Sequence, residues 1–154
     1  MTMNDVEKFL AHAIQLEREA ARRYEELSAA MGTEGNRELK AFFGRMAHYS
    51  RLHLKQAAER GGFRELPELA PEEFEWPDGV SPETAGWAGV DAQMSPRAAL
   101  ELALDGERSG HAYYAAVAAM ATADAELRGI AAEFASEEAE HVRELEKLIA
   151  NCPA

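Results

Sequence analysis

Apolar residues recur every three or four positions along four long stretches of the chain, the period of helices that bury one face. The first seam reads Val6, Leu10, Ala13, Glu17, Ala20, Tyr24, Leu27, Met31, and the second Leu39, Phe42, Met46, Ser50, His53, Ala57. The third reads Leu100, Ala103, Glu107, Gly110, Tyr114, Val117, and the fourth Ile130, Phe134, Glu138, His141, Leu145, Leu148. These seams predict helices over about 5–31, 36–60, 96–121 and 125–150 of one domain spanning 1–154. Asn4 with Glu7 three residues on, then Thr33 or Asn36, then Ser95 before Pro96, supply the expected N-caps. Glycines at 32, 35, 61 and 62, and a tight turn near Thr122 to Asp124, mark the expected ends.

Between 62 and 94 the helical period lapses, and Pro67, Pro71, Pro77 and Pro82 forbid a long helix. A structureless loop of that length is unusual in a compact domain. The segment is therefore expected to wrap the helices and pin itself with Phe74, Trp76 and Trp87, with a short helical turn around Pro82 to Ala85. Short connections within each helix pair and a long one between the pairs predict an all-α four-helix bundle of two antiparallel hairpins joined by a crossover.

Polar residues interrupt every seam: Glu17 in the first, Ser50 and His53 in the second, Glu107 in the third, Glu138 and His141 in the fourth. An ionised carboxylate in an apolar interior is costly unless a cation meets it. A Glu-x-x-His pair facing a bundle axis is a known metal-ligand set, and Glu138 and His141 have that spacing. The bland alternative is a solvated acidic helix, because 28 Asp and Glu residues make accidental Glu-x-x-His pairs common.

An internal repeat bears on that choice. Glu17, Arg18 and Tyr24 align with Glu107, Arg108 and Tyr114 at an offset of 90, and Glu38, Leu39 and His53 align with Glu126, Leu127 and His141 at an offset of 88. The chain reads as two copies of one helical hairpin. The first helix of each copy offers a Glu and the second a histidine three residues after position 50 or 138, the layout of di-iron or di-manganese carboxylate bundles.

Charge and composition narrow the partners. A net charge of −12 argues against phosphate backbones and anionic lipid as partners, so neither nucleic acid nor membrane is expected. No run of about 18 apolar residues and no basic-then-apolar leader is present, so neither a membrane span nor a signal peptide is expected, and the expected location is cytoplasmic. Cys152 is the one cysteine, which excludes an intrachain disulfide or a multi-cysteine metal site.

On both hairpins, though not the crossover, the chain resembles the rubrerythrin branch of the ferritin-like family. Ligand types, spacing, repeat and second-turn tyrosines agree together. The resemblance implies an iron site in the bundle, of one or two ions with manganese or zinc as other occupants, and peroxide-reducing or iron-oxidising activity on peroxide, oxygen or ferrous iron. By position, Glu17 and His53 would serve one metal, Glu107 and His141 the other, and Glu138 would bridge. Tyr24 and Tyr114 match the family's tyrosines near the site and are the expected catalytic residues.

This sequence departs from the family at three places. Ser50 stands where a second bridging carboxylate is expected, with Tyr49 a candidate to occupy the vacated space. Gly110 replaces an acid that rubrerythrins often carry, and His111 beside it is a candidate substitute ligand. The four-cysteine rubredoxin domain is absent, so electrons would come from an external donor protein. His12 and His48 point off the seams and are expected at the surface. Apolar positions beyond the seams, among them Phe9, Phe43 and Leu54, predict a homodimer. The competing readings are a non-catalytic iron-handling protein that holds one ion and a degenerate bundle kept as a scaffold.

Overall fold

The computed structural model describes residues 6–61, 69–76, 94–120 and 125–152. Four helices carry the fold: α1 (Val6–Glu34), α2 (Arg37–Gly61), α3 (Pro96–Ala118) and α4 (Ala125–Ala150). Helices α1 and α2 form one closely packed hairpin and α3 and α4 a second, and the two join through α1 against α3 and α4. The architecture is the all-α four-helix bundle that the seams predict.

The helix ends differ from expectation in ways that backbone chemistry explains. Helix α1 runs past Met31 to Glu34, because the left-handed residue is Gly35 (φ 83°) and not Gly32. There the Asn36 N–H donates back to the Met31 carbonyl at 2.9 Å, a Schellman-type stop. Gly32 serves a different need, since a Cβ there would lie 3.2 Å from the Lys40 side chain across the hairpin. Asn36 then caps α2 by accepting from the Leu39 N–H at 3.0 Å. Ser95 caps α3 by accepting from the Ala98 N–H at 3.1 Å, with Pro96 at the first helical position. Helix α3 stops at Ala118, three residues short of its predicted end. Asn4, Trp87, the turn at 82–85 and that at 122–124 lie outside the described residues.

Two apolar clusters fill the bundle. One gathers Phe9, Leu10, Ala13 and Leu16 of α1 with Tyr114, Val117, Ile130 and Phe134. The other gathers Tyr24, Leu27 and Met31 with Phe42, Phe43, Met46, Leu100 and Leu145. Phe9 and Phe43 are fully buried within the chain's own core, which removes them from the surface that was expected to carry a dimer.

His12 corrects a second expectation. It is fully buried, not at the surface: its Nδ1–H donates to the Lys8 carbonyl at 2.8 Å and its Nε2 accepts from the Glu75 N–H at 2.8 Å. Its ring packs edge-on against Phe74 and Trp76, which holds this part of the crossover to α1. His48 is exposed as expected.

Candidate metal centre

Between the two apolar clusters lies a polar layer. Glu17, Glu107 and Glu138 are 4 %, 3 % and 3 % exposed, as deeply placed as their apolar neighbours. Helical spacing puts them there: each occupies a seam position, so the burial of the flanking Leu, Ala, Phe and Tyr carries the carboxylate inward with it.

The layer resolves into two triads. Ligand atoms of Glu17, His53 and Glu138 lie within 4.8 Å of one another, and so do those of Glu107, Glu138 and His141. Glu138 belongs to both. His53 Nδ1 faces Glu17 Oε1 at 3.8 Å, and His141 Nδ1 faces Glu107 Oε2 at 3.5 Å. Both gaps exceed an ordinary N–H···O hydrogen bond. Among the described residues neither His141 Nδ1 nor Glu107 Oε2 has a hydrogen-bond partner, although both atoms are buried. Donor atoms about 2.1 Å from a common ion lie about 3–4 Å apart, so these spacings fit a shared cation better than a shared proton. Carboxylate and imidazole donors suit first-row divalent ions, iron, manganese and zinc among them.

The tyrosines cross between the halves. The Tyr24 hydroxyl donates to Glu107 Oε1, and the Tyr114 hydroxyl donates to Glu17 Oε1 at 3.4 Å. Each phenol thus restrains the carboxylate of the opposite repeat: on Glu107 it takes Oε1 and leaves Oε2 toward His141, whereas on Glu17 the phenol and His53 face the same oxygen, Oε1. Both phenols are fully buried.

Electrostatics follow from this crowding of acids. Burial opposes charge on Glu107, but the neighbouring Glu138 carboxyl, the facing His141 ring and the Arg23 guanidinium outweigh it and hold Glu107 well below the usual carboxylate range. Burial pushes His53 and His141 down, yet the facing Glu17 and Glu107 raise both rings above the ordinary histidine value. Protons and metal ions therefore compete for the same ring nitrogens.

Other expected residues are placed elsewhere. His111 is half-buried on α3 and joins neither triad. Ser50 is buried at 5 % exposure, and Tyr49 does not enter the space beside it. Tyr49 is instead 43 % exposed and stacks on the outer side of His141 at 6.3 Å.

Two residues of the layer were not anticipated. Glu137 of α4 faces His53 Nε2 at 3.3 Å, a contact between helices that its place off the seam does not signal. Arg23 is 1 % exposed, packs over the Tyr24 ring, and lies where a Cβ on Gly106 would be only 1.6 Å from its Nη1. In the repeat register Gly106 corresponds to Leu16 and Arg23 to Tyr113, so a small residue opposite a large one marked that corner.

Fold and site together define a ferritin-like four-helix bundle with di-iron-type carboxylate and histidine triads. Residues 7–154 match the ferritin-like domain family, and the chain belongs to it. It is similar to an uncharacterised conserved protein from Magnetospirillum magnetotacticum MS-1 of known crystal structure, with 39 % sequence identity over 97 % of each chain and a TM-score of 0.80. No curated protein matches the chain. No helix among the described residues is long and apolar enough to cross a membrane.

Proposed function

We propose that this chain is a rubrerythrin-like iron protein that reduces peroxide or oxidises ferrous iron at the paired triads. The observation that carries the reading is Glu138, a nearly fully buried carboxylate common to two Glu/His sets. One buried acid between two otherwise separate donor sets has little structural use, and two neighbouring cations give it one. Glu17 and His53 would hold one ion, Glu107 and His141 the other, with Glu138 between them. Bound iron would supply the change of oxidation state that the reaction needs.

The chain's own residues supply the rest. Glu17, Glu107 and Glu138 would neutralise most of the charge of two divalent ions. Tyr24 and Tyr114 keep Glu107 and Glu17 oriented and place phenolic protons at the edge of the site. Apolar clusters on both sides exclude water along the bundle axis. The histidine side chains, 14 % and 16 % exposed, are the part of the site nearest solvent. An external protein would return the electrons.

Ser50 favours a second reading at one position. With one carboxylate fewer on the His53 side, that ion would be held more weakly than its neighbour, and a chain that keeps only the His141-side ion is an iron-handling protein and not a peroxidase. Anaerobic loading with ferrous iron, followed by metal analysis and peroxide consumption with a supplied reductant, separates the cases. Retained iron with turnover is the expected result. Retained iron without peroxide or oxygen turnover supports the second reading, and no retained iron overturns both.

A further inference from the structure

We propose that Glu137 is the positioning carboxylate of His53, holding the ring so that Nδ1 is presented to the metal position shared with Glu17 and Glu138. The proposal rests on the metal-binding reading above and adds to it a residue outside both triads.

His53 lies between two acids from different helices. Its Nδ1 faces Glu17 Oε1 of α1 at 3.8 Å, and its Nε2 faces Glu137 Oε2 of α4 at 3.3 Å. A neutral imidazole has one N–H and one lone pair, so it can satisfy only one of the two carboxylates by donating. The nearer partner is Glu137. With the proton on Nε2, the Nδ1 lone pair points toward a carboxylate oxygen across a gap too long for a hydrogen bond. Two electron-pair donors facing each other at that distance call for a cation between them. A metal-bound histidine characteristically gives its other N–H to a carboxylate, which fixes tautomer and ring plane and makes the ligating nitrogen more basic.

The other half of the repeat lacks this device. His141 also turns Nδ1 inward, toward Glu107, but its ring is flanked by Tyr49 and by His53 itself, 5.6 Å between ring centroids, and no carboxylate faces its Nε2 among the described residues. The added carboxylate therefore faces the half that has Ser50 at the position matching Glu138. Half-buried, with its side chain 31 % exposed, Glu137 can face the ring without the full cost of a buried acid.

The test uses the full chain and cobalt(II) as the probe. In the metal-free protein, nitrogen chemical shifts of the His53 ring, assigned by comparison with His53→Gln, report its tautomer at a pH where the ring is neutral. The Nε2–H form is expected in the wild type, retained in Glu137→Gln, whose amide oxygen still accepts, and mixed in Glu137→Ala. Cobalt affinity is then measured in two backgrounds. With His141→Ala, which leaves the His53 position, Glu137→Ala should weaken binding ten- to a hundredfold. With His53→Ala, the same change should leave binding at the His141 position unaltered. Equal losses in both backgrounds would make Glu137 a general negative charge and overturn the proposal, as would an unchanged tautomer or unchanged cobalt affinity in the first background. If the wild type binds no cobalt, the metal-binding reading itself fails, and a tautomer that shifts between wild type and Glu137→Ala still supports the hold on the ring while an unshifted one removes it.

Discussion

The two hairpins share a backbone plan and differ in how they manage charge at its centre. On the first, Glu17 and His53 stand near a buried Ser50, an outer Glu137 from α4, and a buried Arg23 lying against Gly106. On the second, Glu107 and His141 stand with an inner Glu138, an outer Tyr49, and Tyr113 where the repeat would place an arginine. The symmetric elements are those that would touch a metal or restrain a ligand: Glu, His and the crossed tyrosines. The asymmetric ones set charge and volume around them. A repeat can drift in its supporting residues so long as the inward face keeps its donors, because the bundle's stability comes from the apolar clusters on either side of the layer.

The sharpest way to break the comparison is to remove the residue that the halves share. Glu138→Ala should abolish tight cobalt or iron binding at both positions, whereas Glu17→Ala and Glu107→Ala should each remove one. Metal per chain, measured by elemental analysis after desalting, checks this. Loss of only one ion in Glu138→Ala would mean that the triads do not share their carboxylate.

The corner at Gly106 supplies the next test. Arg23 fills the space that a side chain at 106 would need, and with 1 % exposure it has nowhere to retreat. Gly106→Ala should therefore cost about 1–3 kcal/mol by overpacking, against the gain of up to about 1 kcal/mol that alanine brings to an ordinary helix position. Gly129 of α4, where a Cβ meets nothing within 4 Å, is the control, and Gly129→Ala should stabilise. Urea melts of both variants decide it, and equal gains at 106 and 129 would show that Arg23 moves freely.

Legibility in the sequence followed the same division. The meeting of Glu17, His53, Glu107, Glu138 and His141 was readable because each is a polar break in an apolar seam and the repeat placed the breaks at matching heights. The four helices and their pairing followed from the same seams and from loop lengths. Glu137 was not readable, since it lies off the seam and reaches His53 across two helices, a contact that depends on interhelical distance. Arg23 was hidden for a different reason: a charged residue beside a seam reads as solvent-facing unless the facing helix has left a gap, and the gap at Gly106 lies off the seams. His12 was misread because its burial comes from the crossover, whose path has no period. Phe9 and Phe43 were assigned to a dimer face because four narrow seams understate how wide a stripe a bundle buries.

Making the halves alike should sharpen the comparison. Ser50→Glu adds a carboxylate at the position that matches Glu138, inside a layer that already holds three buried acids. The metal-free variant should melt lower than wild type, because the new charge has no partner. The loaded variant should regain that loss and more, by linkage to a tighter His53-side ion. The expected signature is a wider gap in melting temperature between loaded and metal-free samples. A variant that melts lower in both states would mean that the space beside Ser50 cannot accept a ligand.

The smallest expected effect tests an asymmetry outside the two triads. His12 corresponds in the repeat register to Leu102, so the first half alone uses a histidine to clasp the crossover. Burial lowers the His12 ring below the ordinary histidine value, with Lys8 adding to the shift and the Lys8 carbonyl and Glu75 opposing it. The groups that face it are Lys8 on α1, Glu75 on the crossover and Tyr113 on α3, the last with a phenol that burial pushes up. A histidine whose folded value is depressed is stabilising while neutral. Its contribution is complete above the unfolded value of about 6.5 and declines as pH falls below that, at a limiting slope of about 1.4 kcal/mol per pH unit. His53 and His141 are shifted the other way and change stability as pH rises above that value, while Glu137, raised by burial, acts through the acid range as well. Subtracting the stability of His12→Gln from that of wild type at each pH removes these shared contributions. The difference should be flat above pH about 6.5 and shrink below it. A difference that stays constant down to acid pH would show that His12 is not neutralised by its burial and that the clasp is held by Phe74 and Trp76 packing alone.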